Sequence, residues 1–181
     1  MSVTTLLALS AANCWLGASS AFDVPPGLLL AIAQVESSYQ VDALALAPNG
    51  THSVGLMQIN SSWFPQLRRA GISEQGLYEP CTNINVGAWI LSQNITRYGA
   101  TWEAIGAYYA GPYDAKSHAW KLPLYRLYAT KVLKAWKRIN EASAALLAKS
   151  AEFSISRQQR SPSGSKREKV QLVEVSKSAT N

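Results

Sequence analysis

The sequence has few cysteines and histidines, the residues that most often bind zinc and other transition metals. Its 181 residues include only two cysteines, Cys14 and Cys81, and two histidines, His52 and His118. No Cys-x-x-Cys pair occurs, and these four side chains do not form the spaced clusters that bind zinc or other transition metals. The sequence therefore predicts no metal site and no cofactor.

Long apolar runs are also absent. Although 48% of the residues are hydrophobic, no segment reaches the roughly 20 apolar residues of a membrane-spanning helix. Residues 1–12 form a short apolar run with the small residues Ser10 and Ala12 at its end, which is typical of a signal peptide cut after Ala12. No Lys or Arg precedes this run, so a start further upstream is an alternative. We expect an exported protein with no transmembrane segment after signal removal.

Acidic residues are scarce. The chain has 11 Asp and Glu against 17 Lys and Arg, a formal net charge of +6. Basic residues are concentrated from Lys116 to Arg138, where no acid occurs, and again after Ser150. This balance is typical of a solvated helix face whose apolar side packs on the core, and the functional alternative is attraction to anionic cell-wall polymer or phospholipid headgroups. No nucleic-acid-binding motif accompanies the charge, so no nucleic-acid partner is predicted.

Length and hydrophobic content predict one domain with a single core. Helix signals predict a mainly α chain, with a first short helix from Asn13, a second from Pro25-Pro26 to about Ser38, and others near 63–70, 83–98, 101–109 and 123–149. Residues 40–62 lack a helical period and contain the turn signal Pro48-Asn49-Gly50. Residues 150–181 are rich in Ser, Gln, Lys and Arg, which predicts a basic, disordered tail.

One acid, Glu36, lies on the apolar side of the second predicted helix. Leu29, Ile32 and Ala33 recur at helical spacing, and the same face reaches residue 36. Because burial disfavours a carboxylate, Glu36 should keep its proton to a higher pH than a free glutamate does, as general-acid catalysis requires. The alternative is a Glu at the solvent edge of that face, with its carboxylate in water.

Three motifs follow one another: Glu36-Ser37-Ser38-Tyr39, Gly55-Leu56-Met57-Gln58-Ile59 and Ala107-Tyr108-Tyr109-Ala110-Gly111. Together they resemble, over roughly residues 14–138, the lytic transglycosylases of the soluble-lytic-transglycosylase type, which cleave peptidoglycan. The resemblance implies a mainly α fold of the α+β, lysozyme-like class. In such a fold a helical bundle surrounds a saccharide cleft, and residues 40–62 would form a small loop or hairpin lobe. The catalytic domain would span 13–149.

The same resemblance implies a role for each motif. Glu36 would be the single catalytic acid/base. The substrate-binding residues of the second and third motifs would be Gly55, Met57, Gln58, Tyr108 and Tyr109. The alternative for Tyr108, Gln58 and above all the apolar Met57 is a packing role in the core. In the family the third motif usually reads Ala-Tyr-Asn-Ala-Gly, so Tyr109 replaces an Asn, and its effect on substrate binding is an open question.

The segment from Asn49 to Trp63 is also similar to a stretch of the c-type lysozymes, which have their second catalytic carboxylate where this chain has Ser53. A retaining hydrolase needs two carboxyl groups about 5 Å apart. With Ser53 in the cleft instead, we expect the substrate's own 6-hydroxyl to attack in place of water and to form a 1,6-anhydro product. Asp42 is the other nearby acid. Asp42 has a capping or turn role, or it is a second catalytic carboxylate. The second alternative would make the protein a hydrolytic muramidase.

Within this family the chain resembles small secreted members associated with type III secretion, type IV pili and conjugation. Those members begin with a Cys-Trp pair like Cys14-Trp15 and contain a Pro-Cys like Pro80-Cys81. The likeness implies a periplasmic protein that acts on peptidoglycan glycan strands and has partners in such an apparatus. A weakly active wall-binding component is the alternative. In an oxidising compartment Cys14 and Cys81 would pair, and two buried free thiols are the alternative.

Overall fold

The structure, a computed structural model, describes residues 3–112 and 121–159, with side chains at 13–112 and 121–152. Its helices are α1 (Val3–Phe22), α2 (Pro26–Ser37), α3 (Phe64–Arg69), α4 (Pro80–Tyr98), α5 (Trp102–Ala110) and α6 (Leu122–Gln159). Its strands are β1 (Leu44–Leu46), β2 (His52–Val54) and β3 (Ile59–Asn60), and 3₁₀ turns occupy Ser61–Trp63 and Gln75–Tyr78. The predicted mainly α chain with a small lobe is therefore confirmed.

Two helices are longer than the sequence analysis expected. α1 begins at Val3, so Asn13 lies inside a helix rather than at its start. The reason is that residues 3–12 are rich in Leu and Ala, which favour a helix. Whether residues 1–12 are removed as a signal peptide stays a prediction.

The last helix, α6, continues to Gln159, because residues 150–159 contain no Gly or Pro and include the helix-favouring residues Ala, Glu, Arg and Gln. Residues 150–159, which were assigned to the disordered tail, are thus helical, and 160–181 lie outside the described residues. The chain divides into two compact units, Met1–Ala144 and Ala145–Asn181. In the second unit, every side chain from 145 to 152 is exposed.

The core of the first unit lies between α1, α2 and α4. A disulfide joins Cys14 of α1 to Cys81 of α4, with the two Cα atoms 5.1 Å apart. The predicted pairing therefore occurs in the structure, and loop entropy assigns such a link about 4 kcal/mol of stability.

Within the described residues no single helix has the length and apolar character to cross a membrane. Asn13–Phe22 and Pro26–Ser37 meet that requirement only as a pair bent by 115°.

The predicted lobe is a three-stranded antiparallel sheet in the order β1-β2-β3. Leu44 pairs with Val54 across the first hairpin, and Ser53 pairs with Asn60 across the second. The first hairpin turns at Pro48-Asn49-Gly50, where the Asn49 side chain accepts a hydrogen bond from the Thr51 N–H at 3.1 Å. The turn predicted from these residues is thus present.

The first part of α6 packs against α5. A Cβ on Gly106 of α5 would lie 2.6 Å from Cβ of Tyr125, so the close approach of the two helices requires glycine at this position. The apolar periodicity of this helix predicts one buried face with residues 124, 127, 128, 132, 135, 136 and 139. Of these, Tyr128, Val132 and Ala135 are buried. Leu124 and Leu127 of the same predicted face are instead exposed.

Candidate active site

Glu36 lies in the last turn of α2. The helix begins at Pro26, directly after Pro25. It ends where Ser38 and Tyr39 adopt left-handed backbone conformations, with φ of 53° and 66°. Leu29, Ile32 and Ala33 are fully buried on the inner face of α2. Glu36 is only partly buried because the last turn of this face reaches the edge of a cavity.

That cavity has a volume of about 150 Å³. Its walls come from the end of α2, the end of α5 and the start of α6. Its lining residues are Val35, Glu36, Tyr109, Leu124, Leu127, Tyr128 and Lys131. One carboxyl group, one cation, two phenol rings and several aliphatic side chains therefore surround the same space.

Tyr128 holds the Glu36 carboxyl group in place. Its hydroxyl donates a hydrogen bond to Oε1 of Glu36 at 2.5 Å, and its ring stacks on Tyr109 with centroids 5.1 Å apart. Burial raises the pKa of Glu36 from 4.5 to about 7, although the Tyr128 hydrogen bond acts in the opposite direction. Glu36 therefore keeps its proton to a higher pH than a free glutamate does, as the apolar helix face predicted.

The raised pKa makes folding stability depend on pH. Between pH 4.5 and about 7 the folded protein retains a proton on Glu36 that the unfolded chain loses. The free energy of unfolding should therefore fall as pH rises through this window, by at most about 3 kcal/mol from this group. Glu36→Gln removes the ionisation, so we expect its stability relative to the wild type to be higher at pH 8 than at pH 4. Urea unfolding at both pH values measures this, with Glu141→Gln as the exposed control. An equal difference at the two pH values would contradict the raised pKa.

A buried asparagine, Asn83 of α4, organises the turn between β2 and β3. Its Oδ1 accepts a hydrogen bond from the Met57 N–H at 2.7 Å. Its Nδ2 donates to the carbonyl oxygens of Val54 and Leu77, at 3.0 and 2.7 Å. Asn83 is fully buried, so these bonds satisfy backbone groups that water does not reach.

Gly55 is required in this turn for two reasons. Its φ is 76°, which places the residue in the left-handed region that favours glycine. A Cβ on Gly55 would also lie 2.2 Å from Nδ2 of Asn83 and 2.7 Å from the Leu77 carbonyl oxygen. The glycine of the second motif thus allows the contact with Asn83.

Hydrogen bonds join the three motifs to one another. The Ser37 hydroxyl donates to the Leu56 carbonyl oxygen at 2.7 Å, which connects the residue after Glu36 to the second motif. The Tyr108 hydroxyl donates to the Met57 carbonyl oxygen at 2.8 Å, which connects the third motif to the second. The three motifs are therefore connected to one another by hydrogen bonds in one tertiary arrangement that includes Glu36.

Most of the predicted substrate-binding residues do not line the cavity. Of the residues predicted to bind substrate, only Tyr109 lines it, and Tyr109 is 58% exposed. Met57 is fully buried, and Gly55 is buried as well, so neither presents a side chain to a ligand here. Tyr108 uses its hydroxyl on the Met57 backbone.

Gln58 and Ser53 also bond within the lobe. Gln58 donates to the carbonyl oxygens of Ala43 and Gly55, and the Ser53 hydroxyl accepts from Nδ2 of Asn60 at 3.2 Å. Asp42 is exposed, lies beyond the end of α2 and does not line the cavity. A role for Gln58 and Ser53 in contacting substrate stays a prediction.

Sequence analysis missed three residues that define the site. Tyr128 was noted only as an apolar position of the last helix, Lys131 only as part of a basic stretch, and Asn83 was not singled out. The only local signal was a tyrosine and a lysine three residues apart on an amphipathic helix. Nothing in that spacing indicates contact with a glutamate 92 residues earlier in the chain.

Metal ligands are not grouped in the described residues. Among them, no three His, Cys, Asp or Glu side chains lie close enough to hold a metal ion. His52 has its Nε2 2.8 Å from Oε1 of Glu74, and its ring packs edge-on against Phe64. His118 lies outside the described residues.

Comparison with known sequences identifies relatives of this chain. Residues 13–121 match the family described as "Transglycosylase SLT domain". The chain is 41% identical to "Invasion protein IagB" of Salmonella typhi over 134 residues, 74% of this chain and 81% of that protein. It is 39% identical to "Protein IpgF" of Shigella flexneri over 104 residues, 57% of this chain and 68% of the relative. It is 37% identical to "X polypeptide" of Escherichia coli over 124 residues, 65% of this chain and 73% of the relative.

A solved structure shares the fold. The chain matches the X-ray structure of an inactive mutant of lytic transglycosylase Slt from Pseudomonas aeruginosa, with a TM-score of 0.57 and 24% identity. The match covers 72% of this chain but only 24% of the other one, so this protein spans about a quarter of that structure's length. The predicted lysozyme-like fold class is confirmed by this likeness. Since the family match spans more than half of the sequence, this chain belongs to the transglycosylase SLT domain family.

Proposed function

We propose that this protein is a peptidoglycan lytic transglycosylase with Glu36 as its single acid/base. It cleaves the β-1,4 bond between N-acetylmuramic acid and N-acetylglucosamine and leaves a 1,6-anhydro end. The observation that supports this most is the Glu36 carboxyl group, with a pKa of about 7, at the wall of a cavity. Near neutral pH such a group is present in both protonation states, so it can donate a proton and later accept one.

The reaction needs two proton transfers at Glu36. In the first, Glu36 donates its proton to the glycosidic oxygen while the bond from that oxygen to C1 of the muramic sugar breaks. The N-acetyl oxygen of the same sugar shares the positive charge that develops at C1. In the second, the Glu36 carboxylate takes the proton of the 6-hydroxyl while that oxygen bonds to C1. Glu36 regains its proton, and no water is consumed.

Tyr128 keeps the carboxyl group oriented during both steps. Its hydroxyl donates to Oε1 of Glu36, so we assign the transferred proton to Oε2. A carboxyl group fixed in this way is aligned before the substrate arrives, which lowers the entropic cost of proton transfer. Tyr109, stacked on Tyr128 and exposed on its other side, offers a flat apolar face against which a sugar ring can pack.

The lack of a second acid favours internal capture over hydrolysis. Among the described residues that line the cavity, Glu36 is the only carboxylic acid. Ser53, at the position of the second lysozyme carboxylate, has a neutral hydroxyl bonded to Asn60. With no protein anion to form a covalent intermediate, the 6-hydroxyl of the substrate is the nearest nucleophile of high effective concentration.

Digestion of purified cell wall in isotopically labelled water tests this chemistry. We expect muropeptides with 1,6-anhydro ends and no label in the new sugar termini, measured by mass spectrometry. Labelled reducing ends would contradict the proposal, because they require water to attack C1. In that case the protein is a hydrolytic muramidase, and Asp42 or another acid supplies the second carboxylate.

We further propose that the protein acts in the periplasm after export and opens the wall locally for an envelope-spanning secretion, pilus or conjugation apparatus. One relative is named an invasion protein, which is compatible with this role. The Cys14–Cys81 disulfide fits an oxidising compartment. If the purified protein binds cell wall but releases no muropeptides, it is instead a wall-binding component of such an apparatus.

A further inference from the structure

A line of side chains on α6 starts inside the cavity and continues outside it. Leu127 and Lys131 line the cavity together with Glu36. Lys134 and Arg138 follow Lys131 at intervals of three and seven residues, so all three cations share one face of the helix. At a rise of about 1.5 Å per residue, this basic ridge (Lys131, Lys134 and Arg138) extends about 10 Å from the cavity.

The charges of the basic ridge are exposed and are not neutralised by nearby acids. The ion pairs within the described part of the chain are His52–Glu74 and Lys137–Glu141, and neither involves the ridge. All three ridge residues are exposed, while Tyr128, Val132 and Ala135 anchor the same helix in the core. The ridge is therefore a row of available cations held at constant spacing by a packed helix.

We propose that the basic ridge binds carboxylates of the stem peptides on the glycan strand whose sugars occupy the cavity. This inference rests on the proposed function. The sugars of a peptidoglycan strand are N-acetylated and carry no free charge, so they offer nothing to a row of cations. The short peptides attached to each muramic acid do carry free carboxylates, which pair with Lys and Arg. The protein thus prefers strands whose stem peptides carry free carboxylates to strands in which those carboxylates are blocked.

The alternative occupant, an anionic membrane surface, fits the ridge less well. A helix that lies on a membrane places large apolar side chains beside its cations. Past Lys131, the ridge positions hold Lys134 and Arg138, and Glu141 follows at the next turn of this side. The exposed apolar side chains beside the ridge, Leu124 and Leu127, belong to the cavity. The ridge therefore continues the substrate site.

Neutralising the outer two cations tests the proposal. The double variant Lys134→Gln/Arg138→Gln leaves Lys131 and the cavity intact. The matched control, Arg68→Gln/Arg69→Gln, removes the same charge from the exposed end of α3. Each protein is assayed on peptidoglycan strands with free stem-peptide carboxylates and on the same strands after those carboxylates have been converted to amides with a carbodiimide and ammonia. Equal melting temperatures establish that all three proteins are folded.

We expect the ridge variant to need about fivefold more strand with free carboxylates for half-maximal rate, with the maximal rate unchanged. On amidated strands the three proteins should be equal, and added salt should abolish the wild-type preference for strands with free carboxylates. The proposal is wrong if the ridge variant needs equally more strand on both substrates, or if the α3 control shows the same increase. In a flotation assay with phosphatidylglycerol vesicles, binding by the wild type but not by the ridge variant would also contradict the proposal. That result would assign the ridge to lipid headgroups instead. Failure of the wild type to cleave either strand overturns the proposed function instead.

Discussion

Glu36→Gln should lower the rate of wall cleavage by at least about 100-fold. The amide has the shape of the carboxyl group and can still accept the hydrogen bond from Tyr128, but it has no acidic proton to transfer. Both proton transfers of the proposed reaction pass through this one group, so no other cavity residue among those described can replace it. Muropeptide release from purified cell wall, followed over time, measures the effect.

Two features separate this loss from unfolding or from a general charge effect. Glu36→Gln should be at least as stable as the wild type at pH 8, because it removes a buried ionisable group. Glu141→Gln makes the same chemical change on an exposed turn of α6 and should retain full activity. Near-normal release by Glu36→Gln would rule out the single-acid mechanism, whatever products are formed.

Asn83→Ala should lower the free energy of unfolding by at least about 3 kcal/mol. The truncation leaves the Met57 N–H and the carbonyl oxygens of Val54 and Leu77 without their hydrogen-bond partner in a fully buried place. Each such group costs about 1–3 kcal/mol when it is left unpaired. For a protein of this size the change corresponds to a drop of about 6–12 °C in melting temperature.

The matched control for this change is Asn85→Ala, two residues further along α4. The Asn85 side chain donates only to the Cys81 carbonyl oxygen of its own helix, at 2.8 Å. Its removal leaves the lobe untouched, so we expect a loss of less than about 1 kcal/mol. Equal losses in the two variants would mean that Asn83 does not support the turn beside the site.

The location of most helices could be predicted from local patterns. α2, α4 and α5 begin and end within about three residues of the predicted bounds, because Pro25-Pro26, Pro80 and the apolar periodicity act over one or two turns. The two helices predicted too short are α1 and α6. The start of α1 is rich in Leu and Ala and was interpreted as a signal peptide, while residues 150–159 of α6 are mostly polar and were interpreted as a tail. Composition of that kind is compatible with helix as well as with targeting or disorder.

Some residues that were predicted to bind substrate instead pack in the core and stabilise the backbone near the site. The second motif was expected to line the cleft, yet Met57 lies in the core, and its backbone is held by Asn83 and Tyr108. A motif identifies residues that an arrangement needs, and it does not say whether they touch the ligand or hold the residues that do.

By itself, the sequence determined that Glu36 is an acid on an apolar helix face and that the lobe turns at Asn49-Gly50. These features depend on residues within a few positions of one another, so spacing and residue type reveal them. Only the tertiary structure decided that Tyr128 orients Glu36, that Tyr109 shares its cavity, and that Lys131 begins a row of cations there. Those contacts join residues more than 70 positions apart. Such contacts form only when α2, α5 and α6 pack together, and that packing leaves no mark on local sequence.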